Sequence, residues 1–338
     1  MSLAACGEFG LIERIRAQVA GRDDLLLGIG DDCCATVLPP GEVLLTTTDL
    51  LIEEIHFRRA WTDLFALGRK AVAVNISDIA AMGGTPQSLS LGLALPADLQ
   101  PEEFDQLIAG ILAAAGEYGA VLSGGDTCRS PGGLMLSVTV QGSIKPEQIL
   151  RRSGAGVGDL LYVSGTLGDS ALALRELSAG RMPDADLALR HHQPVARLRL
   201  GQELARRRLA TALIDLSDGL RADLGHVLEA SGVGAQVNAA VLPLSTLLRA
   251  ALAAEPGLIE LALAGGEDYE LLWSAPPSAA AALAALSAEL ELSLTCIGEV
   301  VAKAGLMVLA ADGQEIVSAR VGYNHFASEV AGASSSSR

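Results

Sequence analysis

Ala212-Leu213-Ile214-Asp215-Leu216-Ser217-Asp218-Gly219-Leu220 reads as a short apolar strand that stops at two aspartates, with a helical pattern beginning at Gly219. The same ending recurs along the chain. Gly28-Ile29-Gly30-Asp31-Asp32, Thr46-Thr47-Thr48-Asp49, Ser123-Gly124-Gly125-Asp126 and Gly265-Gly266-Glu267-Asp268 each join an apolar stretch to Gly, Ser or Thr plus a carboxylate. Taken alone, any one of these is an ordinary turn former or helix N-cap. Their repetition says more, because strand ends in an open sheet converge on one edge, and that edge is where ligands bind.

Working outward, helical and strand patterns alternate through the whole length, which predicts an α/β or α+β fold. Helices are expected over residues 8–20, Thr62–Met82, Pro101–Tyr118, 168–179, 194–208, 219–230 and 277–289. Strands are expected at Val43–Thr48, Ser88–Leu95, Ala120–Leu122, Leu134–Gln141, Leu160–Ser164, 212–216, 235–239, 269–274 and 293–300. The turn-rich segment from Ile144-Lys145-Pro146 to Ser153-Gly154-Ala155-Gly156-Val157-Gly158 divides the chain into residues 1–145 and 146–330. A serine-rich tail, 331–338, is expected to be disordered.

A chain of 338 residues accommodates two domains with separate cores, and 50% hydrophobic with 19% charged residues is a globular composition. No apolar run approaches the roughly 18 residues of a membrane span. Glu8 falls where a secretory signal needs an apolar stretch, so the cytoplasm is the expected location. Cys6, Cys33, Cys34, Cys128 and Cys296 show neither CxxC nor zinc-type spacing, which predicts reduced thiols. A net charge of -16, with Lys70, Lys145 and Lys303 as the only lysines, argues against nucleic acid as a partner.

Carboxylates brought to one sheet edge repel. At about 4 Å and an effective dielectric near 20, two unit charges repel by roughly 4 kcal/mol, so such a cluster calls for cations. Aspartates and threonine hydroxyls are oxygen donors, which select hard ions such as magnesium over zinc. Magnesium held by a few carboxylates in turn implies a polyphosphate partner. Asp78 shares a helix face with Asn75 in an otherwise apolar stretch. It either pairs with Arg69 or another base, or joins the metal cluster. Gly219, opening a helix after Asp218, is a candidate for a helix N-terminus near phosphate.

The usual nucleotide signatures are missing: no glycine precedes a lysine as in a Walker A loop, and Cys33 stands where a dinucleotide fingerprint needs Gly. No GxSxG element points to a serine hydrolase. His191 and His192 fall in a polar helical stretch and are expected to be solvated, and His226 to help end or pack its helix. His56, beside Phe57 and soon after Asp49, is the histidine to weigh as a ligand contact.

Gly7-Glu8-Phe9, the residues from Gly28 to Asp32, Thr47-Thr48-Asp49, His56-Phe57, Asn75-Ile76-Ser77-Asp78-Ile79-Ala80-Ala81-Met82-Gly83, Gly124-Gly125-Asp126-Thr127, Asp215 to Leu220, Gly265 to Tyr269, and Gly322-Tyr323-Asn324-His325-Phe326 form an ordered set over nearly the whole chain. This set resembles the thiamine-monophosphate kinases. GGDT and DxSDGL are shared with the wider aminoimidazole ribonucleotide synthetase superfamily, and the Gly-Glu-Phe start, His56-Phe57 and the Gly-Tyr-x-His-Phe end favour the thiamine enzymes. The resemblance implies ATP-dependent, magnesium-assisted, in-line phosphorylation of thiamine monophosphate to thiamine diphosphate, with no covalent nucleophile and no general base. It implies a two-domain PurM-like fold: an N-terminal mixed sheet closing into a barrel across a homodimer, and a C-terminal α/β domain. By the same likeness Asp32, Thr47, Thr48, Asp49, Asp78, Asp126, Asp215 and Asp218 would hold Mg2+. Gly125, Asp126, Arg152 and Ser217 would contact the ATP phosphates, and His56, Glu267 and Tyr323 the thiamine phosphate. Three threonines in a row leave open which of them ligates metal. The alternatives are another ATP-dependent member such as aminoimidazole ribonucleotide synthetase, marked by turnover of formylglycinamidine ribonucleotide, or a nucleotide-binding regulator without catalysis.

Overall fold

The computed structural model describes residues 3–29, 33–318 and 322. The first half runs α1 (Leu3–Arg16), β1 (Leu25–Leu27), β2 (Ala35–Thr36), β3 (Val43–Ile52), α2 (Leu64–Ala81), β4 (Thr85–Leu95), α3 (Pro101–Glu117), β5 (Val121–Arg129) and β6 (Met135–Ile144). Four of its strands form one sheet in the order β3-β6-β4-β5. β4 and β5 are parallel, as the α3 crossover between them requires, and the other neighbours are antiparallel. Leu89, Leu91, Leu93, Leu136, Val138 and Val140 send one face of this sheet into the core with Ile76, Ile79, Leu107 and Ile111 of the two helices.

α2 begins where Asp63 Oδ1 accepts the Ala66 N–H at 2.7 Å. Leucine, isoleucine, valine and alanine bury it on nearly every side. Glycines bring its neighbours against the backbone: a Cβ on Gly68 would stand 2.3 Å from Leu107 O of α3. α2 is therefore an inner wall, with the first sheet on one side and the second half of the chain on the other.

That second half contains β7 (Leu160–Ser164), α4 (Asp169–Ser178), α5 (Ala185–His192), α6 (Leu198–Arg207), β8 (Ala212–Asp215), α7 (Leu220–Ser231), β9 (Gly234–Asn238), α8 (Thr246–Ala254), α9 (Ile259–Ala264), β10 (Leu271–Ala275), α10 (Ala280–Leu290), β11 (Leu294–Val301) and β12 (Gly305–Leu309). Six strands make a sheet in the order β12-β9-β11-β7-β10-β8, antiparallel except for β12 on β9. Both faces are covered. Leu161 and Val163 pack with Leu224 and Val227 of α7, while Tyr162 stacks on Trp273 at 5.5 Å on the opposite face, among Leu200, Leu204, Leu283 and Ala80. Ala80 belongs to α2, so the first half closes part of this second core.

The alternation of helices and strands is as expected, with three differences. β3 and β5 run on past their expected ends, so Thr46-Thr47-Thr48-Asp49 and Gly124-Gly125-Asp126 lie within strands. The reason is ladder pairing: β3 matches β6 along its whole length from Val43–Ile144 to Ile52–Met135, and Gly125 and Asp126 lie opposite Leu91 and Gly92 of β4. Second, β1, β2, α5, α8, α9 and β12 are short elements absent from the expected list of ranges. Third, among the described residues no sheet closes into a barrel: the four-stranded sheet has free edges at β3 and β5. No helix among these residues is long and apolar enough to cross a membrane. The expectation for 331–338 lies outside the described residues.

Candidate active site

Period-two alternation on β3 sends Thr47 and Asp49 toward α2 and leaves Thr46, Thr48 and Leu50 on the outer face. Thr47 Oγ1 donates to Asp78 Oδ2 of α2 in a short hydrogen bond. One residue earlier on the same helix, Ser77 Oγ donates to Asp215 Oδ2 at 2.6 Å. Asp215 ends β8, so α2 links a strand of each sheet. Burial, Asp78 and the other nearby carboxylates push Asp215 up to about 8, although the Ser77 hydroxyl opposes them. Burial, with help from Asp78, pushes Asp49 up to about 6. Burial also raises Asp78, against the Thr47 hydrogen bond and the positive charge of Arg152. Asp49, Asp78 and Asp215 thus form one group of desolvated, mutually repelling carboxylates, the condition that a cation relieves.

Two loops border this group. Gly266 is held so closely that a Cβ there would stand 2.6 Å from Ser217 O. The Glu267 N–H donates to Ser217 O and the Tyr269 N–H to Leu216 O, both at 2.8 Å. Glu267 and Tyr269 adopt left-handed φ values of 66° and 50°, uncommon for residues with a Cβ and most often kept at functional sites. Lys70 Nζ of α2 meets Glu267 Oε1 at 2.8 Å, and His191 Nδ1 of α5 lies 3.3 Å from Glu267 Oε2. Burial pushes Glu267 up, but Lys70, His191 and, more weakly, His56 outweigh it, so the carboxyl sits below its usual range. His56 is itself anchored through Nδ1, which accepts the Ile52 N–H at 3.0 Å and places the neutral ring's proton on Nε2.

Of the residues singled out in the sequence, Thr47, Asp49, Asp78 and Asp215 meet, with Arg152 within electrostatic reach. Ser217 and Asp218 stand against the Gly266–Glu267 turn, and His56 lies within electrostatic reach of Glu267. Thr48 and Asp126 do not join them within one chain. Thr48 Oγ1 bonds to Val138 O and Thr139 on the outer face, and strand register puts Asp126 on that face through Gly92 and Ser137. Gly125 is the exposed neighbour of Asp126, with its backbone against Leu91 O. Asp32 and Tyr323 lie outside the described residues, although Gly322 packs against Asp218 O. Asp78 pairs with Thr47, and Arg69 bonds Glu117 instead.

At the entry to α7, Asp223 Oδ2 accepts the N–H groups of Asp218 at 3.1 Å and of the N-cap Gly219 at 3.0 Å. One expectation needs correction. His191 is not solvated but 5% exposed, with Ser170 Oγ 2.9 Å from its Nδ1, and burial with Lys70 pushes it down to about 3. Lys70 and His191 stand outside the site residues expected from the sequence, and Tyr269 enters there only as the end of the Gly265–Tyr269 motif. A lysine in an apolar helical run is the available signal for Lys70; nothing local marks His191.

Among the described residues, no three His, Cys, Asp or Glu side chains are gathered closely enough to hold an ion by themselves. Magnesium does not need that, since it keeps several waters and binds through one or two carboxylates plus substrate phosphates. The donor set of Asp49, Asp78, Asp215 and the Thr47 hydroxyl is all oxygen, and fits such an ion.

Family models for the N-terminal and C-terminal domains of AIR synthase related protein match residues 30–144 and 156–309. Thiamine-monophosphate kinase of Escherichia coli strain K12 is 40% identical over 329 residues, covering 96% of this chain and 99% of that protein. The crystal structure of thiamine-monophosphate kinase from Stenotrophomonas maltophilia K279a superposes with a TM-score of 0.83 at 41% identity, covering 94% of this chain and 99% of that one. AaThiL complexed with AMPPCP and TMP superposes with a TM-score of 0.74 at 34% identity, covering 96% and 99%.

Proposed function

We infer that this chain, which belongs to the AIR synthase related family and within it to the thiamine-monophosphate kinases, is an ATP-dependent kinase that phosphorylates thiamine monophosphate to thiamine diphosphate. The observation that carries the reading is the meeting of Asp49, Asp78 and Asp215 with the Ser217–Glu267 loops, in a chain similar along its whole length to a protein solved with AMPPCP and TMP.

Asp49, Asp78 and Asp215, with the Thr47 hydroxyl, would hold Mg2+; Thr48, Asp126, Asp218 and Asp32 complete the proposed set. The bound ion would supply charge neutralisation to the polyphosphate. The chain's own groups do the positioning. Arg152, Ser217, Gly125 and Asp126 receive the ATP phosphates, while His56, Glu267 and Tyr323 orient the acceptor. The acceptor phosphate is already mostly dianionic at neutral pH, since its second pKa lies near about 6. It needs no base, and the transfer becomes a matter of alignment and charge.

A homodimer belongs to the same reading. Leu44 and Leu50 are 47% and 53% exposed on the outer face of β3, beside Met135 of β6, and this uncovered face also carries Thr48 and Asp126. A cytoplasmic location is assigned on the same grounds as ATP use. The test is direct: purified protein with ATP, magnesium and thiamine monophosphate should yield ADP and thiamine diphosphate, and EDTA should stop it. AMP as product, or no thiamine diphosphate, sinks the reading.

A further inference from the structure

Lys70 is 3% exposed, and its neighbours one turn away on the helix, Ala66, Leu67, Ala73 and Val74, are apolar and buried. An ammonium removed from water is costly unless it is paired, and its partner is Glu267 Oε1 at 2.8 Å. The other oxygen, Oε2, faces His191 Nδ1 at 3.3 Å, and the same Nδ1 lies 2.9 Å from Ser170 Oγ. A carboxylate partner favours the neutral tautomer with its proton on Nδ1. The Glu267 side chain is about a quarter exposed, and its two carboxylate oxygens are held by Lys70 and His191. Its backbone is also fixed, at φ 66° and by the bond from its N–H to Ser217 O.

We propose that Lys70, seconded by His191, is a positioning residue for acceptor recognition: it holds the Glu267 carboxylate ionised and aimed at the cationic part of thiamine monophosphate. The proposal rests on the kinase reading above. Thiamine monophosphate carries a permanently cationic thiazolium, so an ionised carboxylate is the complementary group, and a protonated or swung-away one is not. α2 also sets a distance. Lys70 and Asp78 are eight residues apart on one helix, about 12 Å at about 1.5 Å per residue, so one rigid element spaces the acceptor-binding carboxylate from the metal-side carboxylates.

Steady-state kinetics on Lys70→Met, Glu267→Gln and the double variant test this. Lys70→Met should raise KM for thiamine monophosphate about tenfold or more and leave KM for ATP within about twofold, as expected for loss of one charge-assisted pair. As pH falls from 8 to 6 its KM for thiamine monophosphate should worsen more steeply than that of the wild type, because Glu267, left with only His191 and His56, takes up a proton more readily. This excess over the dependence that the acceptor phosphate gives every form should vanish when Glu267→Gln is added. The double variant leaves no buried charge orphaned, so it is expected to fold even where Lys70→Met does not, and its KM should match that of Glu267→Gln alone. A wild-type KM for thiamine monophosphate in Lys70→Met, an equal rise in KM for ATP, or a double variant about tenfold worse than Glu267→Gln each overturns the proposal. Failure of the wild-type protein to form thiamine diphosphate instead removes the reading beneath it.

Discussion

Ser77 Oγ donates to Asp215 Oδ2 at 2.6 Å, tying α2, packed under the first sheet, to the last residue of β8 in the second. A hydroxyl donor stabilises the ionised carboxylate, and hydrogen bonds to charged groups are worth about 1.5–3 kcal/mol. Removing this one should make Asp215 a poorer anion and a poorer metal ligand. Ser77→Ala should therefore raise the magnesium concentration for half-maximal activity about tenfold while keeping most of kcat at saturation. Asp215→Asn should lose kcat about a hundredfold or more at any magnesium concentration. Magnesium titrations of the two variants check this, and identical curves for Ser77→Ala and wild type would count against the link.

The carboxylate group also predicts how stability changes with pH. Burial is the main cause that holds Asp49, Asp223 and Asp215 up to about 6, 7 and 8, with repulsion from Asp78 or Asp218 adding to it. Each binds its proton more tightly in the folded state than at the ordinary value of 3.8. Their contribution to stability is then complete below pH 4 and is lost as pH rises through the folded values. Metal-free protein in EDTA should melt at progressively lower temperature from pH 5 to pH 8, and magnesium should recover more at pH 8 than at pH 5. Asp215→Asn should flatten the slope. A melting temperature that climbs over this range sinks the argument.

Much of this site was legible because the chemistry repeats. Asp215, Ser217 and Asp218 sit at or just past a strand end, where an apolar run giving way to Gly or Ser plus a carboxylate is a local pattern; Glu267 carries the same pattern, but the apolar run before it is the helix α9. Thr47 and Asp49 were found through the same pattern, yet they work from mid-strand: β6 continues to pair with β3 past them, and no local signal reports where a ladder stops. Faces were harder still. Thr47 and Thr48 are equivalent in composition, and the pleat alone decides that one meets Asp78 while the other meets Thr139. His191 looked like a solvated residue in a polar helix; only the packing of α5 beside Lys70 and Glu267 buries it.

Tyr269 is the next variant to make. Burial holds its hydroxyl protonated, reinforced by Glu267, Asp49, Asp215 and Asp78, so a phenol lies within electrostatic reach of both the metal-side carboxylates and Glu267. Its left-handed backbone is kept despite the cost. Tyr269→Phe should preserve the fold and lower kcat about tenfold, the scale of one hydrogen bond made as phosphate charge redistributes. An unchanged kcat beside a normal melting temperature would return Tyr269 to a packing role.

Leu44, Leu50 and Met135 are exposed apolar side chains on the outer face of the four-stranded sheet. Light scattering should give twice 34.7 kDa, and Leu50→Asp should shift the population toward 34.7 kDa. A wild-type protein at 34.7 kDa under dilute conditions would remove the dimer from the reading.

The last prediction concerns the chemical step. The acceptor is a phosphate monoester, mostly dianionic above about pH 6, so no group on the enzyme has to take a proton from it. What opposes reaction is the approach of that dianion to a second anionic phosphate, a problem of charge and alignment. His56 lies near Glu267 with Nδ1 committed to the Ile52 N–H, which suits a residue that orients the acceptor through its other nitrogen. His56→Asn should then raise KM for thiamine monophosphate and leave kcat within about threefold. Asp49 also titrates near 6 in the metal-free protein, so the rate must be followed at saturating magnesium, where an ion holds that carboxylate ionised. Under those conditions the rate should fall below about pH 6 in wild type and equally in His56→Asn, because the proton responsible is on the substrate. An acid limb that disappears with His56, ping-pong kinetics, or a trapped phospho-enzyme would each show that the protein supplies a base or nucleophile after all.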